Sequence, residues 1–255
     1  MTGRKGIVWK TPDITADGLK MFACMVMLLR TVGIVIVEKG MIHLDQYTQE
    51  SLNQAMARDS RLMTLAGVGS VLQLLGGLAI PIFAFLLVEG FRNTSDYKKY
   101  LLTMLLAALV CEIPYDLAMS GKVLDLSGQN GLLTMCICLL MLKCMDLVKN
   151  MSGFSRKLVK VLITLAAVLW TSLLRCEYGL CTVLLTAVFY VFYTRNVLKT
   201  VLGGLISIMY VTGPLAFYGI WCYNGERKDR ISKYVYYAFY PASLLVLGIA
   251  AKLIS

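Results

Sequence analysis

The stretch LGGLAIPIFAFLLVEGF, residues 75–91, decides what kind of protein this chain forms. It is apolar enough for a bilayer, yet it contains the pair Gly76-Gly77, a proline at Pro81 and a carboxylate at Glu89. Proline removes the helical hydrogen bond to the carbonyl four residues earlier, here that of Gly77. Because a simple membrane anchor needs none of these residues, we expect the stretch to form one wall of a polar site inside a helical membrane protein.

The composition of the whole chain predicts the same class of protein. Of its 255 residues, 58% are hydrophobic and 16% are charged, and the mean hydropathy is +0.70. A soluble domain has about 45–50% apolar and about 25% charged residues. Apolar stretches long enough to span a bilayer recur along the chain, and no stretch alternates convincingly with the period of two that marks a membrane β-barrel. We therefore predict an all-α, polytopic transmembrane helical bundle.

The hydrophobic pattern predicts about eight spans in a single domain over residues 19–254, after a cytoplasmic polar lead at 1–18. A straight helix over the second span would be roughly 45 Å long, against a hydrocarbon core of about 30 Å. We expect this span to break at Gly76-Gly77 and Pro81, and the seventh to break at Gly213-Pro214. The predicted spans are 19–37, 62–91, 100–118, 131–148, 158–174, 180–194, 197–221 and 234–254.

The net charge of +10 fits basic loops that set membrane topology better than it fits nucleic-acid binding. With eight spans and the N-terminus inside, the inner segments carry fifteen Lys and Arg residues and the outer segments nine. The count predicts cytoplasmic N- and C-termini in a bacterial inner membrane. Loop 222–233, which carries four basic residues on the predicted outer side, is the exception.

The cysteines and the single histidine do not form a metal-binding pattern. Most of the eight cysteines lie inside apolar stretches, where they behave as small hydrophobes, and their spacing predicts neither a disulfide framework nor a zinc site. We therefore predict no metal. His43, with Asp45 two residues later, is the only candidate for histidine-based acid–base chemistry, and it falls on a predicted outer loop.

Two charged residues lie at matching depth in the predicted topology. Arg30 and Glu112 each fall about seven residues below the outer end of a span. Because a lone charge at such depth costs about 2.5–3.5 kcal/mol, we expect an ion pair between them; the alternative is that Arg30 snorkels outward alone. Glu112 and Asp116 share one helix face at i and i+4. Such a pair can divide acid and base roles, or cap a helix end at the interface.

A third group of charges lies at the predicted inner end of the second span. Glu89 is close in sequence to Arg92 and Lys98. One interpretation is an interfacial salt bridge. The functional interpretation is an inner vestibule whose basic groups bind a phosphate-bearing ligand.

Several sequence blocks, taken together, resemble the TraX family, bacterial membrane proteins named for an F-pilin N-acetylase. Their order and spacing match over about residues 19–250. The blocks are IPIFAFLLVEGF (80–91), KKYLLTMLLAALVCEIPYDLA (98–118), SGQNGLLT (127–134), EYGLCTVLLTAVFYVFYTR (177–195), YNGER (223–227) and KYVYYAFYP (233–241).

The resemblance implies an integral membrane acyltransferase of the acyltransferase-3-like kind. Such a protein takes an acetyl group from cytoplasmic acetyl-CoA and transfers it to an amine or hydroxyl of a peptide, pilin or glycan acceptor at the membrane. The polar residues that fall in the matching blocks are Glu89, Glu112, Asp116, Gln129, Asn130, Glu177, Tyr178, Tyr223 and Asn224.

The chain departs from the family pattern at three places. Arg30 and Thr31 stand where the family has an Asp-His pair, and Gly77 stands where the family has arginine. In the last span, Ser243 stands in place of a histidine. Histidine is the usual proton carrier near neutral pH. Either His43 or a carboxylate has taken over this role, or catalysis has been lost.

These considerations assign three groups of residues. The predicted catalytic group contains Glu112, Asp116, Arg30 and His43. In this group the carboxylates orient or deprotonate the acceptor, and the cation polarises the acyl oxygen. The predicted substrate-binding group contains Gln129, Asn130, Glu177, Tyr178, Tyr223, Asn224 and Ser243. The predicted group for the acyl donor contains Glu89, Arg92 and Lys98.

Two other functions are compatible with the sequence. The first is a non-catalytic family member that binds a small membrane protein or a lipid. The second, suggested only by broken helices and charges at membrane depth, is a small-solute transporter.

Overall fold

The computed structural model describes residues 13–226 and 231–254, so most of the predicted polar lead lies outside the described residues. In this part of the chain the fold is helical throughout, with two isolated β-bridges and no β-strand. The all-α bundle is therefore confirmed. Its helices are α1 (Ala16–Val32), α2 (Gln49–Arg58), α3 (Ser60–Gly76), α4 (Ala79–Asn93), α5 (Tyr97–Ser120), α6 (Gly131–Leu147), α7 (Gly153–Leu173), α8 (Gly179–Val191), α9 (Asn196–Ser207), α10 (Ala216–Trp221) and α11 (Lys233–Ile254).

The surface of the bundle is that of an integral membrane protein. Four helical segments are long and apolar enough to cross a bilayer: Ala16–Ile42, Ser60–Asn93, Tyr97–Ser120 and Tyr234–Ile254. In the first of them, α1 continues directly as a π-helix over Gly33–Ile42. Large apolar side chains are exposed along whole helix faces, as lipid contact requires. On α7 they include Leu158, Val161, Leu162, Leu165 and Leu169.

The second span breaks where the sequence predicts. Helix α3 ends at Gly76 and α4 begins at Ala79, which puts Pro81 in the first turn of α4, where its missing N–H breaks no helical bond. The hydroxyl of Thr212 donates a hydrogen bond to the Leu74 carbonyl at this break. The Leu74 carbonyl, which also accepts from Gly77 N at 3.0 Å, is thus bonded to another part of the chain as well.

Helices α1 and α11 run parallel to each other. Near the start of both, the Tyr236 hydroxyl donates to the Asp17 carbonyl at 3.4 Å. Near the end of both, Gly40 of the π-helix packs against Ala251. The start of α1 and the end of α11 therefore lie at opposite ends of the bundle. This packing of α1 and α11 does not support the predicted placement of both termini on one side of the membrane.

The physical reason is that the predicted seventh span turns back on itself. The Trp221 indole N–H at the end of α10 donates to the Thr200 hydroxyl at the start of α9, at 2.9 Å. Between these ends, Gly203 packs against Phe217. The predicted break near Gly213-Pro214 is confirmed, and the chain reverses direction there. Residues 196–221 thus form a re-entrant hairpin instead of the predicted seventh crossing.

This topology makes one end of the bundle strongly basic. We call this end the basic face. It contains the start of α1, the start of α11 and the α4–α5, α6–α7 and α8–α9 turns. Among the described residues, twelve Lys and Arg lie at or near the basic face and six at the opposite face, with Arg30 between them. The re-entrant hairpin also brings both ends of loop 222–233 to the basic face. This loop, predicted on the outer side, therefore no longer contradicts the excess of Lys and Arg on the inner side.

Helices α4, α6 and α8 form the centre of the bundle. Ile82, Leu139 and Leu185 are fully buried there. The ring of Phe85 packs edge-on against that of Phe189, with 5.8 Å between the ring centroids. This packed centre holds α4 in place, and α4 carries one side of the cavity described next.

Candidate functional site

A cavity of about 510 Å³ extends from the basic face toward the middle of the bundle. At the basic face it is lined by Lys20, Asp96 and Lys99, and at its deep end by Arg30 and Tyr178. Its walls come from α1, α4, α5, α6 and α11. The apolar residues between the two polar ends are Ala79, Ile80, Phe83, Leu86, Leu87, Met104, Leu132 and Met135.

Helix α4 forms one wall of this cavity, as residues 75–91 predict. Its lining residues recur at helical spacing of three and four positions, so they share one face. They begin beside the break at Gly76 and end at Gly90, close to the basic face. Small residues at both ends leave room for the side chains opposite, since a Cβ at Gly90 would lie 2.8 Å from the Tyr100 hydroxyl.

Arg30 closes the deep end of the cavity. Its Nε donates to the Tyr178 hydroxyl at 2.7 Å, and its Nη1 donates to the Gln73 carbonyl at 3.4 Å. Its guanidinium also lies 5.1 Å from the centroid of the Tyr178 ring and 5.9 Å from that of Tyr210. Gly76 packs directly on the Arg30 side chain. Three of the five guanidinium N–H groups are left without a hydrogen-bond partner in the described residues.

Glu177 lies behind the two tyrosines that line the deep end. The Tyr240 hydroxyl donates to Glu177 Oε2 at 3.3 Å. The Tyr178 hydroxyl, which accepts from Arg30, also interacts with the Glu177 carboxylate. The result is a continuous polar chain from the Arg30 cation through Tyr178 to Glu177 and on to Tyr240. A cation, a carboxylate and two phenols arranged in this way can bind an oxygen and accept a proton.

The turn that carries Glu177 and Tyr178 is held in place by the segment before α6. Gln129 N donates to the Arg175 carbonyl at 3.2 Å, and Glu177 N donates to the Gln129 carbonyl at 2.8 Å. The Thr134 hydroxyl donates to the Glu177 carbonyl at 2.7 Å. Tyr178 has a left-handed backbone, with φ of 59°, at the start of α8. Gln129 therefore acts through its backbone, by holding the turn.

The predicted ion pair between Arg30 and Glu112 is not formed. Glu112 Oε2 instead accepts a hydrogen bond from the Asn130 side chain. Helix α5 packs mainly on α6 and α11, whereas Arg30 faces the α3–α4 break and the turn before α8. Glu112 Oε1 is buried without a hydrogen-bond partner in the structure as described.

Asp116 and Asn130 hold the segment between α5 and α6. Asp116, only 2% exposed, accepts from the Asp125 backbone N–H at 2.8 Å. Asn130 Oδ1 caps α6 by accepting from Leu132 N and Leu133 N at 3.0 and 3.3 Å. None of Glu112, Asp116 and Asn130 lines the cavity. The structure thus gives these predicted site residues partners within the protein.

The other predicted acceptor-side residues do not line the cavity either. His43 ends the π-helix at the opposite face, with φ of 56°. Ser243 donates to the Tyr240 carbonyl at 2.8 Å. Tyr223 and Asn224, predicted at an outer end, lie at the basic face because the hairpin returns there. Tyr223 packs on Phe85 with 5.5 Å between ring centroids, and Asn224 N donates to the Ile14 carbonyl at 3.1 Å.

The residues predicted to bind the donor lie at the basic face but outside the cavity. Arg92 stacks on Tyr193, with 3.9 Å from its guanidinium carbon to the ring centroid. Glu89 accepts from the Asn93 side chain at 3.3 Å, and Lys98 is exposed. Within the described residues, no group of three or more His, Cys, Asp or Glu could hold a metal ion.

Lys20, Lys99 and Tyr240 line the cavity but were not predicted as site residues. The sequence carried a signal for the tyrosine, because Tyr236 and Tyr240 are four residues apart on one helix face. It carried none for the two lysines, which occur among many others in basic segments.

The chain is similar in sequence to known proteins over most of its length. No solved structure matches the chain. A relative from Dichelobacter nodosus, named as a probable fimbrial assembly protein FimC of serogroup H1, is 26% identical over 226 residues, which cover 76% of this chain and 89% of the relative. The family described as TraX protein matches residues 15–251, from the residue before α1 into the last turn of α11. The chain therefore belongs to the TraX family.

Proposed function

We propose that the protein is a membrane acetyltransferase whose acyl donor, acetyl-CoA, enters the cavity from the basic face. The observation that carries the proposal is the single cavity that joins Lys20 and Lys99 at that face to Arg30, Tyr178 and Tyr240. Because the cytoplasmic side of a membrane protein carries the excess of Lys and Arg, we assign the basic face to the cytoplasm of a bacterial cell. Acetyl-CoA is available on that side.

The shape and chemistry of the cavity fit the donor. Lys99 provides a cation for phosphate groups at the mouth, together with Lys20, whose Nζ lies 3.4 Å from Asp17 Oδ1. From Lys20 to Arg30 is ten residues of α1, or about 15 Å, roughly the length of four or five extended peptide residues. The apolar middle suits the methylene-rich pantetheine arm. The thioester at the end of that arm then lies beside Arg30.

At that position the residues of the deep end support acyl transfer. The unpaired N–H groups of Arg30 stabilise the oxyanion that forms when the acceptor amine or hydroxyl attacks the thioester carbonyl. Tyr178 and Tyr240 relay the acceptor's proton to Glu177: a phenol takes up that proton as its own passes to the carboxylate. The carbon–sulfur bond then breaks, and the proton ends on the departing thiol. Glu177 thus takes the role that the sequence had suggested for Glu112, Asp116 or His43.

The proposal includes the acceptor of the acetyl group, a pilin-like peptide. The Dichelobacter nodosus relative is named for fimbrial assembly, which favours a pilin-like peptide over a glycan. An acceptor peptide anchored in the membrane presents its amino group to a site at this depth.

The test uses the full chain in detergent with labelled acetyl-CoA and a fimbrial subunit from the same cell. Arg30→Gln should lower acetyl transfer by about 10²–10³-fold, the effect of removing one oxyanion donor. Glu177→Gln should lower it by about 10²–10⁴-fold, the contribution of a general base. Glu112→Gln, which changes a carboxylate outside the cavity, should stay within about threefold of wild type. No binding of CoA and no transfer to any endogenous peptide or glycan would contradict the proposal.

A second function, binding of a fimbrial subunit without catalysis, is favoured by one observation. The only histidine of the chain lies outside the cavity, at the opposite face. Fimbrial assembly in cells that carry Arg30→Gln separates the two functions. Assembly at the wild-type level, with no acetylated subunit in either strain, would favour the binding function.

A further inference from the structure

A second, smaller pocket lies at the basic face beside the mouth of the cavity. Its volume is about 410 Å³, and it lies between the end of α4, the start of α5 and the last turns of α6 and α8. Thr94 and Ser95, in the turn between α4 and α5, line both the pocket and the cavity. The two spaces are therefore neighbours, separated by one short turn of the chain.

Two cations line this pocket, and aromatic rings hold both of them. The Arg92 guanidinium lies 3.9 Å from the centroid of the Tyr193 ring, and Lys143 Nζ lies 5.4 Å from that of Tyr97. Among the described residues, neither cation forms an ion pair or donates a hydrogen bond. A cation–π contact fixes the position of a cation but leaves its N–H donors available. Both positioned cations therefore keep N–H donors available to a ligand in the pocket, which also contains the carboxylate of Asp146.

The other polar groups of the pocket strengthen its positive character. Its acidic residue, Asp146, already accepts from Lys149 Nζ at 3.1 Å. The Ser95 hydroxyl has no hydrogen-bond partner within the part of the chain that the structure describes, while that of Thr94 donates to the Asp96 carbonyl at 3.3 Å. Donors thus outnumber acceptors in the pocket, and an anion with several acceptor oxygens matches them.

We infer that this pocket is a phosphate-binding site formed by Arg92, Lys143 and Ser95. The planar fork of Arg92 can bind two phosphate oxygens at once, Lys143 adds a point charge, and the Ser95 hydroxyl adds a further donor. The phosphate has two possible sources. One is the headgroup of an anionic phospholipid, because basic residues at the membrane surface attract such lipids. The other is a soluble nucleotide whose remaining part occupies the neighbouring cavity.

The test is native mass spectrometry of the full chain in detergent, titrated with matched pairs of probes. Phosphatidylglycerol is compared with diacylglycerol, which has the same tails without phosphate. Adenosine 3′,5′-bisphosphate is compared with adenosine. Arg92→Gln and Lys143→Gln should each weaken binding of the phosphate-bearing probe by roughly tenfold, as expected for loss of one charge-assisted contact. Arg92→Lys keeps the charge and loses the planar fork. It should bind the phosphate-bearing probe with an affinity between those of wild type and Arg92→Gln.

The matched control is Lys157→Gln, which removes an exposed cation at the start of α7, at the same face, and lines neither space. It should leave binding unchanged. Binding of phosphatidylglycerol alone identifies a lipid headgroup as the source, and binding of the bisphosphate identifies a soluble nucleotide. Equal binding of the phosphate-free probes, absence of binding, or equal losses in Lys157→Gln and Arg92→Gln would overturn the inference. None of these results depends on acetyl transfer.

Discussion

Arg30 in the first span donates a 2.7 Å hydrogen bond to the hydroxyl of Tyr178, which lies at the start of α8. The contact joins two parts of the chain 148 positions apart, at the deep end of the cavity. It also places the cation next to Glu177, the carboxylate that holds Tyr240. Four side chains from three separate regions of sequence thus depend on one another, and the first two predictions test this dependence.

Tyr178→Phe removes the hydroxyl that accepts from Arg30 and should destabilise the protein. A hydrogen bond to a charged group contributes about 1.5–3 kcal/mol, so the free energy of unfolding in detergent should fall by about that amount. The control is Tyr218→Phe, which removes a hydroxyl from a tyrosine that is 63% exposed in α10. Equal stability of the two variants would show that the Arg30–Tyr178 bond contributes nothing to folding.

Arg30→Met and Glu112→Gln should be additive, because the two residues do not form an ion pair. Arg30→Met leaves the Glu177 carboxylate without its cation and should cost about 3–5 kcal/mol. Glu112→Gln keeps an oxygen that can accept from Asn130 and should cost about 1 kcal/mol or less. The double variant should equal the sum within about 0.5 kcal/mol, measured as unfolding free energy. A coupling free energy above about 1 kcal/mol between the two substitutions would instead support the predicted ion pair.

Residues 75–91 show how much of this fold the sequence could predict. Local rules located the break near Gly76-Gly77 and Pro81, the helix after it and the wall of the cavity. These features depend on proline geometry, helix length and bilayer thickness, which are all readable from a short stretch. The break at Gly213-Pro214 was equally predictable. The reversal of the chain at this break was not predictable, because an apolar segment that crosses the membrane and one that turns back have the same composition.

The site could be predicted only in part, for a related reason. Arg30, Glu177 and Tyr178 were identified as polar residues in or beside apolar stretches. Their partners could not be identified, because matching depth along two spans does not say which helices are neighbours. Arg30 and Glu112 are at similar depth, but α1 and α5 face different helices there. Which helices lie next to each other is a property of the whole bundle rather than of any one span.

Gly76→Ala should be destabilising although alanine normally favours a helix. A Cβ at position 76 would overlap the Arg30 side chain, with Cγ and Cδ both 2.9 Å away. Overpacking of this kind costs about 1–3 kcal/mol, and it should also displace Arg30 from Tyr178 and lower acetyl transfer. The control lies in the same helix: Gly67 has nothing within 4 Å of the added Cβ. Gly67→Ala should be neutral or stabilising by up to about 1 kcal/mol, so equal losses at the two positions would refute the role assigned to Gly76.

The re-entrant hairpin predicts which positions share one side of the membrane. In a variant without the native cysteines, single cysteines are placed at Lys98, Asn224 and Val123, and labelled with a thiol reagent that cannot cross the membrane. Lys98 lies at the basic face, Val123 at the opposite face, and Asn224 beside Ile14 at the start of α1. In sealed vesicles of one orientation, Lys98→Cys and Asn224→Cys should therefore be labelled together, and Val123→Cys should not. Had residues 197–221 crossed the membrane, Asn224→Cys would be labelled with Val123→Cys instead.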